Sequence, residues 1–237
     1  MSQTLSIVIP AYNEAPTIHF ILDKVKAVEL AGGLNKEVII VNDCSRDDTK
    51  GAIQRYMADN PGLPIQYYEH EVNQGKGAAL HTGIREAKGD FIIIQDADLE
   101  YDPAEYRKLI QPIVEGQADV VFGSRFAGDN QRVLYFWHYM GNRFLTLMSN
   151  FFTNLNLTDM ETCYKVFRAD VVKDIPLRAR GFEFEPEITA KLLKRGHRIY
   201  EVPISYNGRE FDEGKKIRPW RDGSLALWSL IKYRFVD

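Results

Sequence analysis

Along the first half of this chain, short apolar runs stop abruptly at polar or charged residues. Residues 5–10 (LSIVIP), 37–42 (EVIIVN), 90–95 (DFIIIQ) and 119–123 (DVVFG) are apolar and β-branched without alternation, which predicts strands buried on both faces of a parallel sheet. IQYYE at 65–69 adds another strand. Residues 16–30, 47–59, 75–88 and 103–116 have helical spacing, as in Ile18, Ile21, Leu22 and Val25. Pro16 and Pro103 suit first-turn positions, and Asp47 or Asp48 can cap the second helix. Strand and helix alternate, so the expected architecture is α/β, a Rossmann-like three-layer unit around a mostly parallel sheet.

After about residue 125 the pattern changes. Residues 136–155 (FWHYMGNRFLTLMSNFFTNL) are apolar enough to suggest a membrane span, but His138, Asn142, Arg143 and Asn150 interrupt them. An amphipathic helix lying on a surface or lining a groove is expected instead. A short strand at 165–168, a helix from Pro186 to Lys194 and a strand at 198–206 follow. There is no internal repeat and no low-complexity linker, so residues 1–237 are expected to form one domain with a C-terminal elaboration.

Composition adds limits. The 237 residues are 45% hydrophobic, enough for a real core, and the formal charge of −3 gives no global basic field, so nucleic acid is not an expected partner. MSQTLSIVIP lacks a charged region followed by a long apolar stretch, so no secretory signal is read and a cytoplasmic location is expected. Cys44 and Cys163 stand far apart, with no spacing that suggests zinc or a disulfide framework. Residues 214–236 set Lys215, Lys216, Arg218, Arg221, Lys232 and Arg234 beside Trp220, Leu225, Trp228, Leu230, Tyr233 and Phe235, against Asp222 alone. A basic amphipathic helix of this kind suits either an anionic membrane surface or docking on the core. Peripheral membrane attachment, with a membrane protein as a further partner, is the expectation.

The chemistry gathers where predicted strands end, the place at which open α/β sheets bind ligands. PAYNE (10–14), NDCSRDDT (42–49), DADLE (96–100) and GSR (123–125) bring Glu14, Asp43, Asp96, Asp98, Glu100 and Arg125 to one crevice. Asp96 and Asp98, one small residue apart, repel unless a cation or proton lies between them. Hard oxygen ligands in this arrangement suit Mg²⁺ or Mn²⁺, with substrate phosphates completing the shell. The glycine fingerprint of dinucleotide enzymes is absent after the first strand, and NQGKGAAL (73–80) lacks the Gly-Lys-Ser/Thr of a P-loop. Gly75 and Gly77 read as a turn entering a helix, with Lys76 able to reach a phosphate.

SIVIPAYNE, VNDCSRDDT, NQGKGAAL, QDADLE and GSR, in this order, resemble the nucleotide-binding half of family 2 glycosyltransferases with the GT-A fold. TDMETCYKVFR, VPISYNGR, EGKKI, WRDG and KYRF extend the resemblance to polyprenyl-phosphate sugar synthases of the dolichyl-phosphate mannose synthase kind. The resemblance implies a nucleotide-sugar-binding half at about 1–125 and an acceptor half at about 126–237. It implies that Pro10, Tyr12, Glu14, Val41 and Asp43 contact base and ribose, and that Asp96, Ala97 and Asp98 meet ribose and diphosphate. Asp98 and the residue two further on would bind metal, with Asp96 adjoining. That further residue is commonly Gln in the mannose synthases and is Glu100 here. Arg125, Arg209 and Lys215 would engage the phosphates of donor and acceptor; Arg143 either joins them or solubilises its helix. Asp98, Arg125 and Arg209 are thus the expected catalytic residues. The implied reaction is metal-dependent inverting transfer of a hexose, mannose from GDP-mannose first, to a polyprenyl phosphate. UDP-glucose or a UDP-N-acetylhexosamine as donor, a saccharide hydroxyl as acceptor with Asp159 or Glu185 as base, and a non-catalytic nucleotide-sugar-binding subunit stay open as alternatives.

Overall fold

A computed structural model describes residues 3–128, 135–208 and 219–236, with the side chains of Ala31 and of residues 219–222 left out. Among the described residues seven strands form one sheet in the order β3-β2-β1-β4-β6-β5-β7. The parallel members are β1 (Thr4–Ala11), β2 (Asn35–Asn42), β3 (Ile65–Glu69), β4 (Phe91–Ile94), β5 (Val120–Ser124) and β7 (Ile199–Pro203). β6 (Lys165–Arg168) runs antiparallel to both its neighbours, β4 and β5. Its reversal delivers the residues just before it, 158–164, to the rim where the parallel strands end.

The unalternating apolar runs behave as expected. Leu5, Ile7, Val8 and Ile9 of β1, Val38–Val41 of β2 and Phe91–Ile94 of β4 are buried on both faces. α1 (Ile18–Ala27) buries Ile18, Ile21, Leu22 and Val25. α2 (Thr49–Asp59) follows β2, and α3 (Lys76–Glu86) packs on β1 and β2. There Gly83 faces Val8 and Val41 so closely that a Cβ would overlap the Val8 side chain. The expected helix at 103–116 divides into a 3₁₀ turn at Pro103–Glu105, started by Asp102 accepting from the Ala104 N–H (3.0 Å), and α4 (Tyr106–Val114).

In the second half, α5 (Phe136–Thr153) stops at Asn154, which adopts the left-handed conformation (φ 53°) common just past a helix end. A short helix not expected from the sequence, α6 (Ala169–Lys173), follows β6; then come α7 (Phe184–Lys194) and α8 (Pro219–Phe235). β7 is shorter than the expected 198–206. After Ile204 donates to Ser124, the carboxylate of Glu105 takes the Ser205 N–H (3.1 Å) and hydroxyl (2.7 Å), and the ladder ends.

Candidate active site

The stretch that raised the metal question leaves β4 with its carboxylates held apart. Lys76, at the start of α3, binds the Asp96 carboxylate at 2.6 Å. Burial opposes the charged ammonium, yet Asp96 holds the Lys76 pKa well above its usual value. Asp98 turns to the other flank, where its Oδ1 accepts from the Glu100 N–H (3.2 Å) and Glu100 Oε2 accepts from the Tyr206 hydroxyl (2.8 Å). Burial first, then Glu100, raises the Tyr206 phenol, so it stays a donor.

No cluster of three or more His, Cys, Asp or Glu side chains suited to a metal occurs among the described residues. A Mg²⁺ or Mn²⁺ that takes most of its shell from diphosphate and water needs only one or two carboxylates, and the neighbouring acids Asp98 and Glu100 fit that demand. Asp96, engaged by Lys76, is the least suited of the three.

Beneath this loop lies support that no motif announced. Gln95 is fully buried, and its Oε1 accepts from both Tyr106 (2.6 Å) and Tyr164 (2.7 Å), while its amide donates to the Asp96 carbonyl (2.9 Å). The Tyr101 ring packs on Tyr164 and on Tyr206, and its hydroxyl accepts from the Cys163 N–H (3.2 Å). Burial raises the Tyr101, Tyr106 and Tyr164 phenols, so these bonds persist across the physiological pH range.

Arg125, at the end of β5, forms a two-point ion pair with Asp159 (2.7 and 2.8 Å), whose side chain is wholly buried, and its backbone N–H donates to the same carboxylate (3.0 Å). The guanidinium stacks over Tyr206 (5.2 Å) and Phe126 (5.5 Å). Glu201 of β7 fixes the Asp159 loop by accepting from the Thr158 and Asp159 N–H groups (2.8 and 2.9 Å). Next along the rim, fully buried Lys165 binds Glu185 of α7 and the carbonyls of Met160 and Thr162. Between the pairs stands Glu161, whose carboxyl is pushed up to about 7 by burial and then by Glu185, against the pull of Lys165 and Arg125. The strand ends thus carry a belt of alternating charge: Lys76–Asp96, Lys165–Glu185, Arg125–Asp159, with Asp98, Glu100 and Glu161 interspersed.

On the other side of β1, Asp43 is buried and holds the turn before α3. Its carboxylate binds His70 (2.7 Å) and accepts from the Gln74 (2.9 Å) and Gly75 (2.7 Å) N–H groups. Gly75 has φ 98°, and a Cβ on Gly75 or Gly77 would overlap the carbonyls of residues 179 and 180 that cross this turn. Glu14 is also buried; its carbonyl receives the Thr17 and Ile18 N–H groups and its carboxylate the Thr17 hydroxyl (2.7 Å). Asp47 ties the neighbouring loop together through the Ala15 and Thr49 N–H groups (both 3.1 Å). Val41 and Ala97 are buried, so their side chains offer no surface at the rim, while Pro10 and Tyr12 are partly exposed at the β1 end. Arg209, Lys215, Lys216 and Arg218 lie outside the described residues, as do the side chains of Trp220, Arg221 and Asp222.

Beside the belt, α5 is apolar on both sides, with Leu145, Met148 and Phe152 partly buried against the core. Its fully buried positions are Thr146, Ser149 and Thr153, whereas Phe136, Trp137, Met140, Phe144, Leu147 and Phe151 face outward, Trp137 at 80% exposure. Arg143 is exposed among them, and among the described residues no hydrogen bond or ion pair joins it to the belt. α8 packs on α5 and α7 with one face, burying Ala226, Ser229, Leu230 and Tyr233, and turns Leu225, Trp228 and Phe235 outward. Docking on the core, one of the two alternatives for this helix, is therefore observed on one face, and the other face carries exposed apolar residues. No described helix is long and apolar enough to cross a membrane. A ring contact, Phe126 against Tyr139 (5.4 Å), joins the outward face to the belt.

Comparison with known proteins gives the family and the fold. Residues 6–176 match the model of glycosyl transferase family 2. An undecaprenyl-phosphate mannosyltransferase of Micrococcus luteus is 29% identical over 96% of this chain and 97% of its own length. A dodecaprenyl-phosphate galacturonate synthase of Rhizobium johnstonii is 26% identical over 90% of this chain, which spans only 62% of that protein. Glucosyl-3-phosphoglycerate synthase from Mycobacterium tuberculosis, solved with Mn²⁺, UDP and glucosyl-3-phosphoglycerate, superposes with a TM-score of 0.75 over 99% of this chain and 81% of that one, at 19% identity. The last of these shows the shared α/β fold, as the GT-A resemblance led one to expect. With a family match across most of its length, the chain belongs to glycosyl transferase family 2 and is a glycosyltransferase.

Proposed function

We propose that the protein transfers a hexose from a nucleotide sugar to a polyprenyl phosphate at a membrane surface, with GDP-mannose as the favoured donor. The observation that carries this reading is the contiguity of the charged rim with an outward apolar helix, through Arg125, Phe126 and Tyr139. An acceptor with a lipid tail and a phosphate head needs an apolar surface beside a cation, and the two are one ring apart. The mannosyl and galacturonyl relatives named for polyprenyl phosphates support the acceptor class.

In this reaction a lipid phosphate oxygen attacks the anomeric carbon while the bond from that carbon to the diphosphate oxygen breaks, inverting the centre and releasing the nucleoside diphosphate. The attacking phosphate is already ionised near neutral pH, so it needs no general base. Asp159 and Glu185, the bases a hydroxyl acceptor would call for, are instead committed to Arg125 and Lys165. Asp98 and Glu100 would hold Mg²⁺ or Mn²⁺, whose charge stabilises the departing diphosphate. Lys76 and Arg125 add fixed positive charge along the rim. Pro10, Tyr12, Glu14, Val41, Asp43, Asp96 and Ala97 form the nucleoside end of the site, and Arg209 and Lys215 are assigned to the phosphates. Attachment is peripheral and on the cytoplasmic side, through the outward faces of α5 and α8, with Arg143 at the depth of the lipid head groups.

A UDP-sugar is the second reading, favoured by the UDP complex of the structurally similar synthase. Radiolabelled GDP-mannose or UDP-glucose incubated with polyprenyl phosphate vesicles should give an organic-extractable product that depends on Mg²⁺ or Mn²⁺. Absence of such a product with every donor tried refutes the lipid-acceptor reading.

A further inference from the structure

The loop between α5 and β6 carries one carboxyl oxygen that the belt leaves unused. Glu161 lies between the Arg125–Asp159 and Lys165–Glu185 pairs, and all four groups act on it electrostatically. Its Oε1 is sealed from solvent and has no hydrogen-bond partner among the described residues; the buried Thr162 hydroxyl beside it is in the same condition. Sealed polar atoms without partners are costly and infrequent, so each requires a reason.

The position of Glu161 in the sheet supplies one. Along the rim the order is β2, β1, β4, β6, β5. Asp43 ends β2, the aspartate pair leaves β4, and Glu161 stands before β6, on the far side of the aspartates from Asp43. A nucleotide sugar has its parts in the same order, base, ribose, diphosphate and hexose. With the nucleoside at the β2 and β1 ends and the diphosphate at β4, the hexose falls beside β6. A diphosphate oxygen is no partner for Glu161, because like charges repel. A sugar hydroxyl is one: it both donates and accepts, and a carboxyl held near neutrality does the same.

We propose that Glu161 is a specificity residue of the donor site, its carboxyl group hydrogen-bonded to a hydroxyl of the transferred hexose. The inference rests on the nucleotide-sugar reading above and extends it to the sugar. It gives the orphan oxygen its partner on donor binding and makes sugar choice a property of the α5–β6 loop, separate from base choice at β2.

Titration calorimetry of the wild type, E161Q and E161D tests it, with GDP, GDP-mannose, UDP, UDP-glucose, dTDP and dTDP-glucose, each with Mn²⁺. E161Q keeps the shape and loses an acceptor; E161D keeps the charge and retracts it by one methylene. Both should bind the wild type's preferred nucleotide sugar about 10- to 100-fold more weakly, the range for losing a hydrogen bond to a charged or ionisable group. Both should bind the matching nucleoside diphosphate as the wild type does, which also reports that they are folded. Unchanged nucleotide-sugar affinity, or equal weakening of both ligands, overturns the assignment. A wild type that binds none of the six overturns the donor reading and this inference with it.

Discussion

Replacing Glu161 with Gln should change not only binding but how stability depends on pH. In the folded protein the Glu161 carboxyl is pushed up to about 7 from an ordinary 4.5, by burial and then by Glu185, with Asp159 adding to the effect and Lys165 and Arg125 opposing it. Between those pH values the folded state keeps a proton that the unfolded chain releases. Stability therefore falls as pH rises: the stabilising contribution is whole below about 4.5 and lost as pH passes through about 7. The rise corresponds to about 3 kcal/mol, at about 1.4 kcal/mol per pH unit. A glutamine at this position carries no charge at any pH, so E161Q should match the wild type near pH 4.5 and exceed it by about 3 kcal/mol at pH 8. Urea unfolding of both proteins at pH 4.5, 6, 7 and 8 measures the difference, and the slopes of all other titrating groups cancel in it. Parallel stability curves would refute the reasoning, because they would mean that Glu161 titrates alike in both states. A stability gain with a loss of sugar affinity is the signature of a group kept for function rather than for folding.

Asp159→Ala leaves Arg125 without its buried partner and should cost about 3–5 kcal/mol in denaturant unfolding; a loss under about 1 kcal/mol would show the pair to be solvated. Tyr206→Phe keeps the ring under Arg125 but removes the bond to Glu100, so the Mn²⁺ concentration for half-maximal activity should rise about tenfold, and an unchanged metal requirement counts against the Asp98–Glu100 assignment. Phe144→Glu, Leu147→Glu and Phe151→Glu together should abolish binding to anionic vesicles while leaving the melting temperature nearly unchanged, since all three side chains are exposed; undiminished vesicle binding would remove α5 from the membrane face. Gly75→Ala should destabilise the fold by about 1–3 kcal/mol, because φ 98° and the nearby Arg180 carbonyl leave no place for a methyl group. Equal stability would show that the 179–181 segment yields.

The strands of the first half were legible because burial on both faces leaves a signal within each run, as in IVI and FIII, that needs no knowledge of neighbours. The rim acids were legible for a related reason, since charge directly behind such a run marks a strand end. What stayed hidden depends on partners far apart in sequence. Nothing in KVFR says that Lys165 is wholly buried, because the Glu185 that makes this tolerable stands on α7. Tyr206 and Glu100 are 106 residues apart, and their bond is invisible until β7 is placed. In α5 the apolar content was plain but its division was not: Leu145, Met148 and Phe152 pack on the core beside buried Thr146, Ser149 and Thr153, while Phe144, Leu147 and Phe151 are exposed. The sheet itself does not divide near residue 125, because β6 lies between β4 and β5.

That insertion has a consequence for synthesis. A ribosome that has released residues 1–125 has produced β1, β2, β3 and β4 as a laddered block, but β5 has no strand to pair with, because its neighbours β6 and β7 are still to be made. The open edges of β4 and β5 wait for the same short segment, Lys165–Arg168. Until it arrives the nascent chain presents one unpaired edge of β4 and both edges of β5, the kind of surface that invites pairing between neighbouring chains. Fragments ending before residue 168 should therefore aggregate, and a split of the gene near residue 125 should yield two pieces that become soluble only when expressed together.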